Sequence, residues 1–290
     1  MSDDWNDTMI TTNGVALHVV RAGPEDGPAV ILLHGFPEPW LCWRHQIGPL
    51  AEAGLRVLAP DQRGYNTSAK PPRVSDYALD VLAADVIGLI DASGRAQVTL
   101  VGHDWGGVVA WWVALRHPER VERLAILNAP HPAAFRRYLR HHPAQLLRSW
   151  YVFFFQLPRL PEANFRRANW HELARALRTT SRPGAFSDED LEQYRRAWSE
   201  PGAITSMIHW YRAALRYPAP TPPDPRIHVP TLLLWGNRDA FIQRGVAEAS
   251  LALCDDGRLE WFEEATHWLH HEEPERVNRL LLEFLGHRLT

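Results

Sequence analysis

Gly102-His103-Asp104-Trp105-Gly106-Gly107 sets a carboxylate among glycines, directly after the apolar run VTLV and directly before a helical pattern. The shape is G-x-Nu-x-G, with Asp where a hydroxyl nucleophile would otherwise stand. Glycines at 102 and 106 let the chain turn sharply and let a strand and a helix approach closely. The side chain at 104 is thereby lifted to the carboxyl edge of a sheet, where open α/β sheets bind ligands. A helix N-terminus behind it favours a carboxylate. A carboxylate so aimed attacks an sp³ carbon and leaves an ester that water can cleave. The bland alternative is an Asp that only caps a helix; the partners of Asp104 argue against it.

Those partners come late in the chain. Asp239 follows the run TLLLWGNR, and His267 follows LEWFEEAT. Nucleophile, acid, histidine is the order expected of an elbow of this kind. Asn128, at the end of RLAILN, holds a position comparable to that of the acid. A neutral amide cannot carry the charge that stabilises an imidazolium, so Asp239 is preferred. The chain has 15 histidines, so position and not residue type singles out His267. The loop His34-Gly35-Phe36-Pro37 follows AVILL and supplies the Phe36 backbone N–H; Trp105 supplies another. Together they form a candidate oxyanion hole for a tetrahedral intermediate. His267, His270 and His271 have the spacing of one helix face, as metal ligands might. No H-E-x-x-H and no obvious carboxylate partner accompanies them. GHDWGG lacks the lysine of a phosphate loop and the spacing of a dinucleotide fingerprint. Chemistry without metal or cofactor is the expectation.

Groups so far apart need a scaffold that gathers them. AVILLHG (29–35), RVLAPD (56–61), VTLVGHD (98–104) and RLAILN (123–128) suit strands buried on both faces of a parallel sheet. Amphipathic stretches such as DYALDVLAADVIGLIDAS lie between them, which predicts βαβ units. From 132 to 222 the pattern turns helical, with breaks at Pro158, Pro161, Pro183 and Pro201, and it ends in the linker YPAPTPPDP (217–225). Strand signals then resume. The expected organisation is an α/β core built from 1–131 and 223–290, its mostly parallel sheet flanked by helices, with a helical cap inserted over 132–222.

Composition narrows the partners. A net charge of −3 gives no global basic signal for nucleic acid. Cys42 and Cys254 are far apart, so a disulfide framework is not expected and a reducing, cytoplasmic setting fits. MSDDWNDTMI lacks an apolar signal region. The longest apolar run, near WYVFFFQL, falls well short of the roughly 20 residues of a membrane span. Residues 132–182 are rich in Arg and poor in acids, which reads as a solvated helical face. No nucleic acid and no membrane are therefore expected as partners; a homodimer is left open.

With these motifs in hand, the sequence resembles the epoxide hydrolases of the α/β-hydrolase superfamily. HGFPEPWLCWRHQIGPLAEAGLRVLAPDQRGYNTSAKPP is similar to their HGFP and D-Q-R-G-Y blocks, and GHDWGG to their nucleophile block. The resemblance implies an α/β-hydrolase fold, a cis peptide at Phe36–Pro37, and two cap tyrosines that hold the epoxide oxygen. Tyr151, ahead of F-Q-L-P, and Tyr211, in His209-Trp210-Tyr211-Arg212, match those positions. Asn66, Thr266 and His209 depart from the usual pattern. The implied activity is opening of a small apolar epoxide substrate to a vicinal diol through an Asp104 ester, with Tyr151 and Tyr211 as proton donors and His267, oriented by Asp239, as base. A dehalogenase shares the Asp nucleophile, although Phe36 lacks the side-chain N–H such enzymes use for halide. A non-catalytic receptor on the same fold is the remaining alternative.

Overall fold

The computed structural model describes residues 5–287. Its eight-stranded sheet consists of β1 (Asn6–Thr12), β2 (Val15–Ala22), β3 (Ala29–Leu33), β4 (Arg56–Pro60), β5 (Val98–His103), β6 (Val121–Leu127), β7 (Thr231–Gly236) and β8 (Gly257–Phe262), in the spatial order β1-β2-β4-β3-β5-β6-β7-β8. From β4 across to β8 every neighbouring pair is parallel, whereas β1–β2 and β2–β4 are antiparallel. The chain is thus an α/β-hydrolase fold with a mostly parallel sheet. The N-terminal hairpin is an addition to the strands expected from sequence. Its turn is Asn13-Gly14, with both residues at positive φ (46° and 74°), the backbone that a tight two-residue hairpin requires. β1 escapes a search for apolar runs because most of its residues are at least partly exposed.

Helices α1 (Arg44–Glu52), α2 (Leu79–Ala92) and α3 (Asp104–Arg116) connect the parallel strands. Between β6 and β7 the chain leaves the sheet and forms α4 (Pro132–His141), α5 (Pro143–Arg148), α6 (Trp150–Phe154), α7 (Leu160–Arg166), α8 (His171–Thr180), α9 (Asp188–Ser199) and α10 (Ala203–Arg216). It returns through β7, α11 (Arg244–Leu251), β8, α12 (Leu269–Glu272) and α13 (Pro274–Phe284).

Alternating strand residues feed two cores. Ile31, Leu33, Leu100 and Leu124 pack with α2 and α3. Val30, Leu32, Val101 and Ala125 pack with Ile47 and Leu50 of α1 and with Val277 and Leu281 of α13. Period-2 alternation with both faces covered explains why these strands read as unbroken apolar runs. After β3 the chain crosses to β4 on one side, and β5 then lies on the other side of β3. The order reverses there, and a crevice opens at the carboxyl ends of β3 and β5. Phe36 and Asp104 follow those two ends.

Helices α4 to α10 cover this crevice, docked by buried aromatic donors. Trp198 Nε1 donates to Pro37 O at 2.6 Å, Trp210 Nε1 to Arg63 O at 3.0 Å, and Tyr194 Oη to Glu38 Oε1 at 2.8 Å. Each contact combines a large apolar ring with a satisfied polar atom. Within the cap, a buried ion pair joins Arg212 of α10 to Glu162 of α7 at 2.7 Å, and Arg212 also donates to Phe155 O and Leu157 O. This one side chain fixes α10, which carries Tyr211, against the segment that carries Tyr151.

Candidate active site

Asp104 opens α3 with φ at +48°, a left-handed conformation that costs a non-glycine residue about 1–3 kcal/mol and is tolerated where the surroundings enforce it. The surroundings here are close. A Cβ on Gly102 would lie 2.6 Å from Gly106 O, one on Gly106 would lie 2.1 Å from Leu33 O, and one on Gly35 would lie 2.4 Å from Asp104 Oδ1. The elbow therefore admits no side chains at these positions. Asp104 Oδ1 accepts the Phe36 backbone N–H at 2.8 Å. The loop that presents this donor is set by His34, whose Nδ1–H donates to Gly35 O and whose Nε2 accepts from Gln62 N at 2.9 Å. The Phe36–Pro37 peptide is cis. Trp105, the first residue after the nucleophile position, lies with its ring 5.1 Å from that of Tyr211.

His267 sits between two carboxylates. Its Nδ1–H donates to Asp239 Oδ2 at 2.7 Å, and its Nε2 lies 3.6 Å from Asp104 Oδ2. Asp239 also accepts the backbone N–H groups of Phe241 (2.7 Å) and Ile242 (2.9 Å) and the Asn128 side-chain amide (2.6 Å). Burial opposes ionisation of Asp239, but the charge and hydrogen bond of His267, with the other donors, hold its pKa below the ordinary value. Burial likewise works against a charged His267. The charge of Asp239, the hydrogen bond to it and the nearby carboxylate of Asp104 outweigh it and push the imidazole up to about 10.

Asn128 therefore has a part that its neutrality hides. It does not replace the acid; it donates to it, while its Oδ1 accepts Gly236 N at 2.8 Å and its backbone adopts a φ of +41°. A polar residue at the end of a buried strand was the available signal.

Tyr151 and Tyr211 face Asp104 from the cap, their rings 5.9 Å apart. Burial raises both phenol pKa values, and the negative charge of Asp104 adds to the shift. Both hydroxyls stay protonated and able to donate. Two cavities, about 420 Å³ and about 610 Å³, share Asp104, Tyr151, Tyr211 and Phe241 in their walls and otherwise present mostly apolar side chains. His267 and Phe36 line the larger one.

The three histidines with metal-ligand spacing do not converge. His267 serves the carboxylates above, whereas His270 and His271 turn to Glu38. Glu38 is fully buried: Oε1 accepts from Tyr194 and from His271 Nε2–H at 2.7 Å, while Oε2 lies 3.3 Å from His103 Nδ1. Burial disfavours its charge, but His271, His103 and His270 hold its pKa well below the usual carboxylate range. Arg44 donates to His271 Nδ1 at 2.9 Å. His103 Nε2–H donates to His267 O at 2.9 Å, so this cluster anchors the backbone of the histidine in the site. Glu38, Cys42 and His270 bring potential ligand atoms within 4.8 Å of one another, yet Glu38 already has protein donors. Sequence reading passed over the cluster because its members lie far apart in the chain.

The α/β-hydrolase fold family matches residues 28–274. The AB hydrolase superfamily protein YfhM of Bacillus subtilis is 45% identical over 276 residues, covering 95% of this chain and 96% of its own. Epoxide hydrolase 4 of Mus musculus is 39% identical over 282 residues, covering 95% of this chain and 78% of its own. The crystal structure of a Bacillus megaterium epoxide hydrolase in complex with an inhibitor superposes with a TM-score of 0.88 at 32% identity, covering 96% of this chain and 100% of that one.

Proposed function

The chain belongs to the epoxide hydrolase family of the α/β-hydrolase superfamily, and from that membership we propose that it opens an epoxide to a vicinal diol through an ester of Asp104. The observation that carries the reading is the junction of the two cavities, where one carboxylate meets two protonated phenols in an apolar enclosure.

An epoxide at the junction has its ring oxygen toward Tyr151 and Tyr211 and a ring carbon toward Asp104. The carboxylate forms a C–O bond to that carbon, and the carbon–oxygen bond of the ring breaks. The departing oxygen keeps the electron pair and takes a proton from a phenol, which solvent later restores. Ester formation removes the negative charge of Asp104. His267 then loses one of the influences that raise its pKa, releases its proton, and becomes a base. Asp239 holds the ring by Nδ1, leaving Nε2 to take a proton from water. That water attacks the ester carbonyl, and the Phe36 and Trp105 N–H groups hold the oxyanion. Collapse expels the diol oxygen, which takes the proton from His267, and the acid left at Asp104 then returns its proton to His267, restoring the carboxylate.

Phe36 brings a ring and no side-chain N–H to the cavity, so it offers no donor to a departing halide, which favours an epoxide over an alkyl halide as substrate. The free thiols of Cys42 and Cys254, both buried, support a reducing cytoplasmic setting.

The test is a single turnover in heavy-oxygen water with enzyme in excess. The expected result is mainly unlabelled diol, with label in the peptide containing Asp104. Labelled diol with an unlabelled peptide would mean direct attack by water and would remove the covalent route.

A further inference from the structure

The arginine-rich stretch at 132–182 finds no use in the chemistry above. It holds ten arginines and two acids, Glu162 and Glu172, and Glu162 is consumed by the buried pair with Arg212. Arg175, Arg178 and Arg182 make surface ion pairs. Arg137, Arg140, Arg159, Arg166 and Arg167 are exposed and make no ion pair among the described residues.

Exposed apolar side chains fall in the same place. Apart from Met9, every large hydrophobic side chain exposed among the described residues lies between Leu146 and Tyr217. Leu147 is 76% exposed and Trp150 is 63% exposed. Leu157, between α6 and α7, and Leu160, the first residue of α7, are exposed as well. Helices α5 and α6 also form a ridge between the two cavities: Leu146 and Phe153 line the smaller, Leu147 and Trp150 the larger.

We propose that this cap surface docks peripherally on an anionic lipid surface, with the Leu146–Leu160 ridge entering the headgroup region and the unpaired arginines meeting the lipid phosphates. An apolar face flanked by unpaired cations, with an exposed tryptophan, has the chemistry of an interfacial segment. Charge separates this occupant from a second copy of the chain. A two-fold contact places a patch against itself, which would bring two sets of unpaired arginines together, whereas an anionic bilayer neutralises them. No described helix is long and apolar enough to cross a membrane, and peripheral docking requires none. That the ridge would pass apolar substrate into the cavities rests on the epoxide reading; the docking does not.

The experiment is co-sedimentation of the full chain with vesicles of phosphatidylcholine alone or mixed with phosphatidylglycerol. Binding to the mixed vesicles only, released by added salt, is the expected result. Arg159→Gln/Arg166→Gln/Arg167→Gln should lower partitioning about a hundredfold, at roughly fivefold per arginine. Leu157→Ser/Leu160→Ser should lower it about tenfold. Thermal unfolding of each variant shows whether it folds; should one not, the salt release of the unaltered chain carries the test. Absence of binding, equal binding to phosphatidylcholine alone, or a lipid-free dimer that Leu157→Ser/Leu160→Ser dissociates would each overturn the proposal.

Discussion

Asp239, on the sheet side of the cavity junction, accepts four hydrogen bonds, from His267, Asn128, Phe241 and Ile242. Tyr211, on the cap side, is held instead among four aromatic rings, those of Phe36, Trp105, Tyr151 and Phe155, at centroid distances of 4.8–5.9 Å. Hydrogen bonds fix individual atoms and fail when one partner changes charge or length. Aromatic packing fixes a volume and an apolar environment, and it tolerates exchange of similar shapes. The sheet side is thus suited to chemistry with little tolerance, and the cap side to grip that can be adjusted.

Breaking the sheet side should produce the largest effects. Asp104→Asn removes the nucleophile and should lower kcat by about 10⁴-fold or more in steady-state diol formation; slow deamidation would appear as delayed recovery. His267→Gln should leave alkylation intact and slow ester hydrolysis by about 10³-fold, so intact mass after mixing with epoxide should show a stable adduct. Near wild-type turnover in this variant would dismiss His267 as the base.

The cap side should yield in steps. Tyr151→Phe or Tyr211→Phe should each cost about tenfold in kcat, because the remaining phenol still holds the oxygen; the double variant should lose about 10²–10⁴-fold. A double variant within a few-fold of wild type would make both tyrosines packing residues.

The smallest effect concerns stability and pH. Burial first, and then Arg136, push His131 down to about 4, and the residue caps α4 by accepting from Ala133 and Ala134. A histidine whose folded pKa lies below the unfolded 6.5 contributes stability that is present above 6.5 and lost as pH falls toward 4, at about 1.4 kcal/mol per pH unit. His267 has the opposite sign: its stabilisation is present below 6.5 and lost as pH rises through about 10. Urea midpoints should therefore decline on both sides of neutrality. His131→Asn, which keeps an acceptor for the cap, should flatten the acid limb by about one proton, and an unchanged limb would contradict this.

Legibility followed the same division. The elbow was readable because its glycines, strand and helix are contiguous, and Asp239 and His267 because each ends a strand pattern. The parallel strands were readable from their unbroken apolar runs; β1 was not, since its alternation is shallow, although Asn13-Gly14 announced the turn. Tyr151 and Tyr211 came from resemblance, because nothing in an aromatic-rich cap distinguishes one ring from another. Glu38 was hidden because its partners His103, Tyr194 and His271 come from three distant segments. Pairing across such separations follows only from the folded topology.

The two cavities meet at a single carboxylate, and this has a consequence for an unsymmetrical epoxide. On the proposed reading, its two substituents would divide between a compartment of about 420 Å³ and one of about 610 Å³. Two placements compete, and each presents a different ring carbon to Asp104. Which regioisomer and which enantiomer react would then be set by the difference in transition-state free energy between the two placements. Changing the volume of one compartment should redirect attack to the other carbon while leaving the reacting groups untouched.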